Sequence, residues 1–237
     1  MIINRSIIHD CKSQIMVTEK KSTHLIVQTY LKIISALAQP LIRMNIPPSI
    51  ITWMGLIVGI FAGALFWTGH LFFGGVALLF AGMLDNMDGV IARTSGKVSN
   101  FGALLDSTLD RYCDFAVFLG LFGYISHSDT QLITFYQVVV MIALIGSVVV
   151  SYVRARAEGL GFSCNLGFFQ RPSRVITIAV AALITSAINP IFDRLNYSYL
   201  HDAFLKLTIV LLAIGTNATA MRRLWASMKV MNGKDKM

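Results

Sequence analysis

Six apolar stretches of roughly twenty residues dominate the chain, at about 49–69, 71–92, 101–126, 132–155, 173–192 and 200–221. A helix needs about 20 such residues to cross ~30 Å of hydrocarbon. The pattern therefore predicts an all-α fold, a polytopic membrane bundle of six transmembrane helices. Composition agrees: 55% of the 237 residues are hydrophobic and only 14% are charged, too apolar a balance for a soluble domain of this size. The second and third stretches carry aspartates, yet 71–84 and 115–125 are almost wholly apolar, so both are still expected to span.

Lysine and arginine are retained on the cytoplasmic side of short loops. Seventeen of the twenty basic residues fall in the N-terminal segment, the loops after the second and fourth stretches, and the C-terminal tail. Both termini and the loop after the second stretch are thus expected to face the cytoplasm. The net charge of +8 needs no nucleic acid to account for it, because basic juxtamembrane segments attract anionic lipid headgroups. The first 24 residues carry polar and charged groups throughout, so no cleaved signal peptide is expected. Residues 25–46 place Leu25, Ile26, Tyr30, Ile33, Ile34, Leu37 and Leu41 at helical spacing. That spacing predicts an amphipathic helix, lying on the membrane surface or packed on the cytoplasmic ends of the bundle. The resulting division is an N-terminal cytoplasmic segment over 1–46, a six-span domain over 47–225 and a basic tail over 226–237. Cys11, Cys113 and Cys164 are too scattered for a disulfide framework or a zinc site, and the five histidines form no ligand set.

Between the second and third spans lie Asp85, Asp88, Asp106 and Asp110. A carboxylate in hydrocarbon costs at least ~2.5–3.5 kcal/mol on insertion scales. Asp85 and Asp88 are three residues apart, and Asp106 and Asp110 four, so on helices each pair shares a face. Adjacent antiparallel helices would bring all four into one cluster, where repulsion must be met by cations. Carboxylates without histidine or cysteine favour Mg²⁺ or Mn²⁺ over zinc, and two such ions would balance four negative charges. Protein-bound Mg²⁺ is commonly shared with substrate phosphates, which points to a diphosphate substrate. Gly89, Ala92 and Gly102 keep the aspartate-bearing faces small enough for a ligand to approach the backbone. In contrast, Gly55, Gly59 and Gly63 repeat every four residues and predict close helix packing. A metal-ion transporter would also place aspartates in a membrane, but it predicts acids through the depth of the bilayer, whereas these collect on one side.

Asp85, Asp88, Gly89, Ala92, Arg93, Gly102, Asp106 and Asp110 reproduce the pattern D-x2-D-G-x2-A-R-x8-G-x3-D-x3-D. In this the chain resembles the CDP-alcohol phosphotransferase family. The resemblance implies transfer of a phosphate-linked group from a CDP-activated donor to an alcohol, with CMP leaving. It also implies that Asp85, Asp88, Asp106 and Asp110 hold two Mg²⁺ or Mn²⁺ ions and that Asp110 is the general base. Gly89, Ala92, Arg93, Ser99 and Gly102 would line the donor site. "PSIIT", Pro48 to Thr52, is similar to a P-N-x-x-T stretch found in many relatives, with Ser49 in place of Asn, and brings Thr52 towards the nucleotide. CDP-diacylglycerol is the expected donor, and a homodimer is expected from the family.

The loop after the fourth span places Arg154, Arg156, Arg171 and Arg174 on the aspartate side, which points to a phosphorylated acceptor. "SYVRARAEGLG" followed by "RPSR" resembles the corresponding segment of phosphatidylinositol-phosphate synthases and their archaeal counterparts. That resemblance implies inositol 1-phosphate as acceptor, held by Arg154, Arg171 and Arg174, in a bacterial or archaeal cell membrane. Where those enzymes often show Arg-Gly-Asp-Gly-Gly and Glu-Arg-Pro, this chain has "SCNLGFF" and Gln170, so glycerol 3-phosphate and free inositol stay open. Asp114 extends the Asp106 and Asp110 stripe by one turn, and its expected partner is Arg111.

Overall fold

The structure, a computed structural model, describes residues 33–127, 132–161, 171–197 and 200–234. Among the described residues there are seven helices and no strand. A short α1 (Ile33–Arg43) precedes α2 (Pro48–Trp67), α3 (Leu71–Thr94), α4 (Asn100–Ser126), α5 (Ile133–Gly159), α6 (Arg171–Arg194) and α7 (Ala203–Lys234). The expected amphipathic helix is thus seen from Ile33, and its portion over 25–32 lies outside the described residues. The expected basic tail begins as a continuation of α7, and 235–237 fall outside the description.

Five of these helices, α2, α3, α5, α6 and α7, are long and apolar enough to cross a membrane, so the protein is an integral membrane protein. The sixth expected span, α4, is long enough at 27 residues. It does not qualify by composition, because its first fifteen residues hold Asp106, Asp110, Arg111 and Asp114. Large apolar side chains face outward along the bundle: Ile57 and Phe61 on α2, Phe72 and Phe73 on α3, Ile145 on α5, and Leu211 and Ile214 on α7 are all exposed. Such surface is stable only against lipid tails or another apolar partner.

Inside, α2 packs against both α3 and α4, α5 packs against α7, and α6 bridges the two groups through α3 and α7. The core combines Phe66, Phe118, Leu121, Ile125, Val140 and Leu212. A separate cluster buries Ile34 and Ala38 of α1 against Ile51, Leu84, Met87 and Ile91. Hence α1 leans on the aspartate-bearing end of α3.

The glycine stripe of α2 packs as its spacing predicts. A methyl group on Gly63 would collide with the Ala116 carbonyl of α4, and one on Gly120 would collide with the Gly63 backbone. The two helices touch backbone to backbone, an approach that small residues permit in membranes. Gly120→Leu should therefore force α2 and α4 apart at a cost of about 1–3 kcal/mol or more. A thermal unfolding midpoint in detergent equal to wild type would refute that packing.

Candidate active site

The two aspartate pairs sit where α3 ends and α4 begins, joined by the short segment 95–99. Gly96 takes φ +67° there, a left-handed conformation that lets the chain reverse between the helices. Ser99 caps α4, its Oγ accepting from Gly102 N at 3.0 Å. Both residues were expected at the donor site, and the cap gives them a local structural role at its edge.

The expected direct packing of α3 on α4 gives way to an arrangement in which each packs mainly against α2, and this brings carboxylate oxygens of Asp85, Asp106 and Asp110 within 4.8 Å of one another. Asp88, one turn beyond Asp85, is only 7% exposed and has Asp106 and Asp85 as its charged neighbours, with the Thr52 side chain beside it. Thr52 reaches this position from the first turn of α2, where its Oγ1 also donates to Pro48 O at 3.2 Å. Asp88 Oδ2 and Asp106 Oδ1 are buried without a protein hydrogen-bond partner. Buried carboxylate oxygens left so are costly unless a cation meets them. An all-oxygen, all-anionic donor set of this kind fits hard divalent ions.

Two arginines, one from α6 and one from α4 itself, close the cluster. Arg171, the first residue of α6, places Nη1 2.5 Å from Asp85 Oδ1 and 2.7 Å from Asp110 Oδ1. Arg111 Nη2 stands 3.6 Å from Asp110 Oδ2. Beneath them a cavity of about 20 Å³ is lined by Thr52, Gly55, Asp85, Asp110, Cys113 and Arg171. That is room for about one water molecule.

The remaining expected site residues separate into two groups. Arg93 is exposed at the end of α3, its guanidinium lying over Gly89, where an added Cβ would stand 3.3 Å from Arg93 Nη1. Gly89 thus gives Arg93 its place, with half-buried Ala92 alongside. Of the three acceptor arginines, only Arg171 touches the aspartates. Arg154 is exposed on the last turns of α5 and pairs with Glu158 at 2.9 Å. Arg174 departs from expectation: it is 2% exposed, with Nη2 3.0 Å from Asp114 Oδ2 and Nη1 donating to Ser147 O at 3.3 Å. A guanidinium so enclosed braces α4, α5 and α6 rather than presenting its fork to a ligand. The expected Arg111 pairing with Asp114 is present at 4.0 Å, and Arg174, at 3.0 Å, is the nearer partner.

Two features went unanticipated. Arg223, within α7, is 2% exposed and donates from Nη1 to Val150 O at 2.9 Å, so a second buried arginine braces the end of α5. Cys113 forms part of the cavity wall. The sequence hints at Cys113 only through the stripe that places it one turn beyond Leu109, and it presents Arg223 as one of a basic run.

A family profile described as CDP-alcohol phosphatidyltransferase matches residues 44–222. The chain is 39% identical over 161 residues to a phosphatidylinositol phosphate synthase of Mycobacteroides abscessus, covering 67% of this chain and 71% of that protein. It is 37% identical over 150 residues to an archaetidylinositol phosphate synthase of Methanothermobacter thermautotrophicus, covering 63% and 73%. The fold superposes on a Mycobacterium tuberculosis phosphatidylinositol phosphate synthase with CDP-DAG bound, at a TM-score of 0.70 and 30% identity over 83% of this chain and 94% of that one. A second structure of that enzyme, in complex with manganese and citrate, also gives a TM-score of 0.70. The aspartate cluster at the junction of α3 and α4 lies within the matched region, and the chain belongs to the CDP-alcohol phosphatidyltransferase family, a family of transferases.

Proposed function

We propose that this protein transfers the phosphatidyl group of CDP-diacylglycerol to the hydroxyl of inositol 1-phosphate, giving phosphatidylinositol phosphate and CMP. The observation that carries the chemistry is the convergence of Asp85, Asp106 and Asp110 within 4.8 Å, with Asp88 beside them. The choice of acceptor is supported by the names of the relatives and by the cation that α6 sends into the cluster.

Asp85, Asp88, Asp106 and Asp110 would hold two divalent ions, Mg²⁺ or Mn²⁺. When bound, such ions neutralise charge on the diphosphate and on the attacking and leaving oxygens. The chain's own residues do the rest. Arg93, over Gly89 at the rim, offers a bidentate fork to phosphate oxygens of the donor, with Ala92 leaving space and Thr52, Ser99 and Gly102 bounding the site. Asp110 takes the proton from the acceptor hydroxyl as its oxygen bonds to the lipid-linked phosphorus. The bond from that phosphorus to the bridging oxygen breaks, and CMP departs with the electron pair. Arg171 and Arg154 would receive the acceptor's phosphate.

The same reading makes α4 a sixth span whose charged end stays at the interface, with the acyl tails lying between helices and lipid. Residues 47–225 would form the catalytic domain, flanked by α1 on the cytoplasmic membrane surface and by the basic tail. Both termini and the site would face the cytoplasm, in a bacterial or archaeal cell membrane, as a homodimer.

The test is CMP release by purified protein with Mg²⁺ or Mn²⁺, CDP-diacylglycerol and a panel of inositol 1-phosphate, glycerol 3-phosphate and inositol. Turnover confined to inositol 1-phosphate is the expected result. Turnover with glycerol 3-phosphate alone would overturn the acceptor while leaving the family in place. Exhaustive chelation should abolish the reaction, and Mg²⁺ should restore it.

A further inference from the structure

Arg171 reaches the aspartates from a different helix, and its Nη1 is shared between two of them, 2.5 Å from Asp85 Oδ1 and 2.7 Å from Asp110 Oδ1. Asp85 and Asp110 both belong to the three-carboxylate group whose oxygens lie within 4.8 Å and could hold a metal. A divalent ion of the Mg²⁺ class needs such oxygens at about 2.0–2.1 Å. A guanidinium nitrogen and a dication bonded to the same two oxygens would stand only a few ångströms apart, like charges competing for the same lone pairs. The two occupants are therefore alternatives. The Arg171 side chain is 16% exposed and its Nε has no protein hydrogen-bond partner. Among the described residues its ion pairs are with those two carboxylates, so its grip can be exchanged.

We infer that Arg171 is a built-in counter-ion for the Asp85–Asp110 pair that a divalent cation must displace, and that metal loading thereby frees its guanidinium for an anionic acceptor. The inference rests on the metal-dependent function proposed above and adds an order to it. While Arg171 bridges the carboxylates, the pair is neutralised and α3, α4 and α6 are joined, and the acceptor's phosphate finds one cation fewer. Once the cation takes the carboxylate oxygens, the displaced fork needs an anion, and a phosphate monoester is the group it matches. Metal would then enter before acceptor, which keeps the cluster from binding the acceptor in an unproductive complex.

Mn²⁺ binding to the full-length protein in lipid nanodiscs, without substrates, tests this by following free Mn²⁺ in electron paramagnetic resonance titrations. Removing the competing cation in Arg171→Gln should tighten Mn²⁺ binding by about tenfold or more. Arg154→Gln removes a cation that pairs with Glu158 and touches no aspartate, and it should shift the affinity by less than about twofold. An Arg171→Gln affinity equal to or weaker than wild type, or an equal tightening by both variants, overturns the inference. A wild-type structure at saturating Mn²⁺ gives an answer that needs no variant: Nη1 should lie beyond about 4 Å from at least one of its two oxygens. Nη1 still within about 3 Å of both would also overturn it. If neither wild type nor Arg171→Gln binds Mn²⁺ saturably, the metal-dependent function falls as well, whereas tight binding indifferent to Arg171 removes only the displacement.

Discussion

Asp110→Asn is expected to lower kcat by about 10³-fold or more while CDP-diacylglycerol binding stays within a few-fold of wild type. Asp110 combines the features such a role needs. It lies on α4 within 4.8 Å of the Asp85 and Asp106 oxygens, borders the cavity, and is contacted by both Arg171 and Arg111. Asparagine keeps the shape but removes the charge and the basic oxygen lone pair that accepts the hydroxyl proton. Asp85, Asp88 and Asp106 remain to hold metal and donor, so chemistry should fail where binding does not. Single-turnover CMP release and binding of a labelled CDP-lipid separate the two. Equal losses in both would assign Asp110 to metal holding alone.

The second large effect concerns stability. Arg174→Ala should cost about 3 kcal/mol or more, because it leaves the buried Asp114 carboxylate with only Arg111, 4.0 Å away, as a compensating charge. Asp114 is 6% exposed and Arg174 2%. Replacing both by apolar residues, Asp114→Leu with Arg174→Met, should recover most of the loss, since a buried pair replaced by packed side chains of similar size is often neutral. Reversible thermal or denaturant unfolding in detergent compares the three proteins. If the double variant is folded yet its acceptor KM rises steeply with the donor KM unchanged, Arg174 belongs to the acceptor site after all, as the RPSR segment first implied.

The contrast between these two residues shows how much of the site could be read along the chain. Asp85, Asp88, Asp106 and Asp110 lie on helix faces whose period follows from sequence spacing, and the short turn between α3 and α4, with α2 packed against both, sets the two pairs near each other. Neighbours in sequence become neighbours in space, so their meeting is written in the order of residues. Arg171 and Arg174 lie sixty-odd residues downstream on α6, and both carry the same charge in the same short motif. Nothing local tells which one points at Asp85 and Asp110 and which turns to Asp114; the rotation of α6 about its axis decides it. The same limit applies to Arg223, which the chain presents as part of a basic run and the packing of α7 against α5 buries at Val150 O.

The sequence alone determined the membrane-spanning helical class, the position of the acidic cluster and its chemistry, because hydrophobic length and helical period are local properties. It also carried the close contact of α2 through its spaced glycines. Tertiary structure alone decided that α4 pays for its acids by sitting among cations from α6, that α1 rests on the end of α3, and that one arginine of the RPSR pair contacts Asp85 and Asp110 while the other braces the core. Those outcomes depend on which faces of separate helices meet, and that is set by the whole bundle's packing, where a rotation of one helix by a single residue exchanges the partners of every charge it carries.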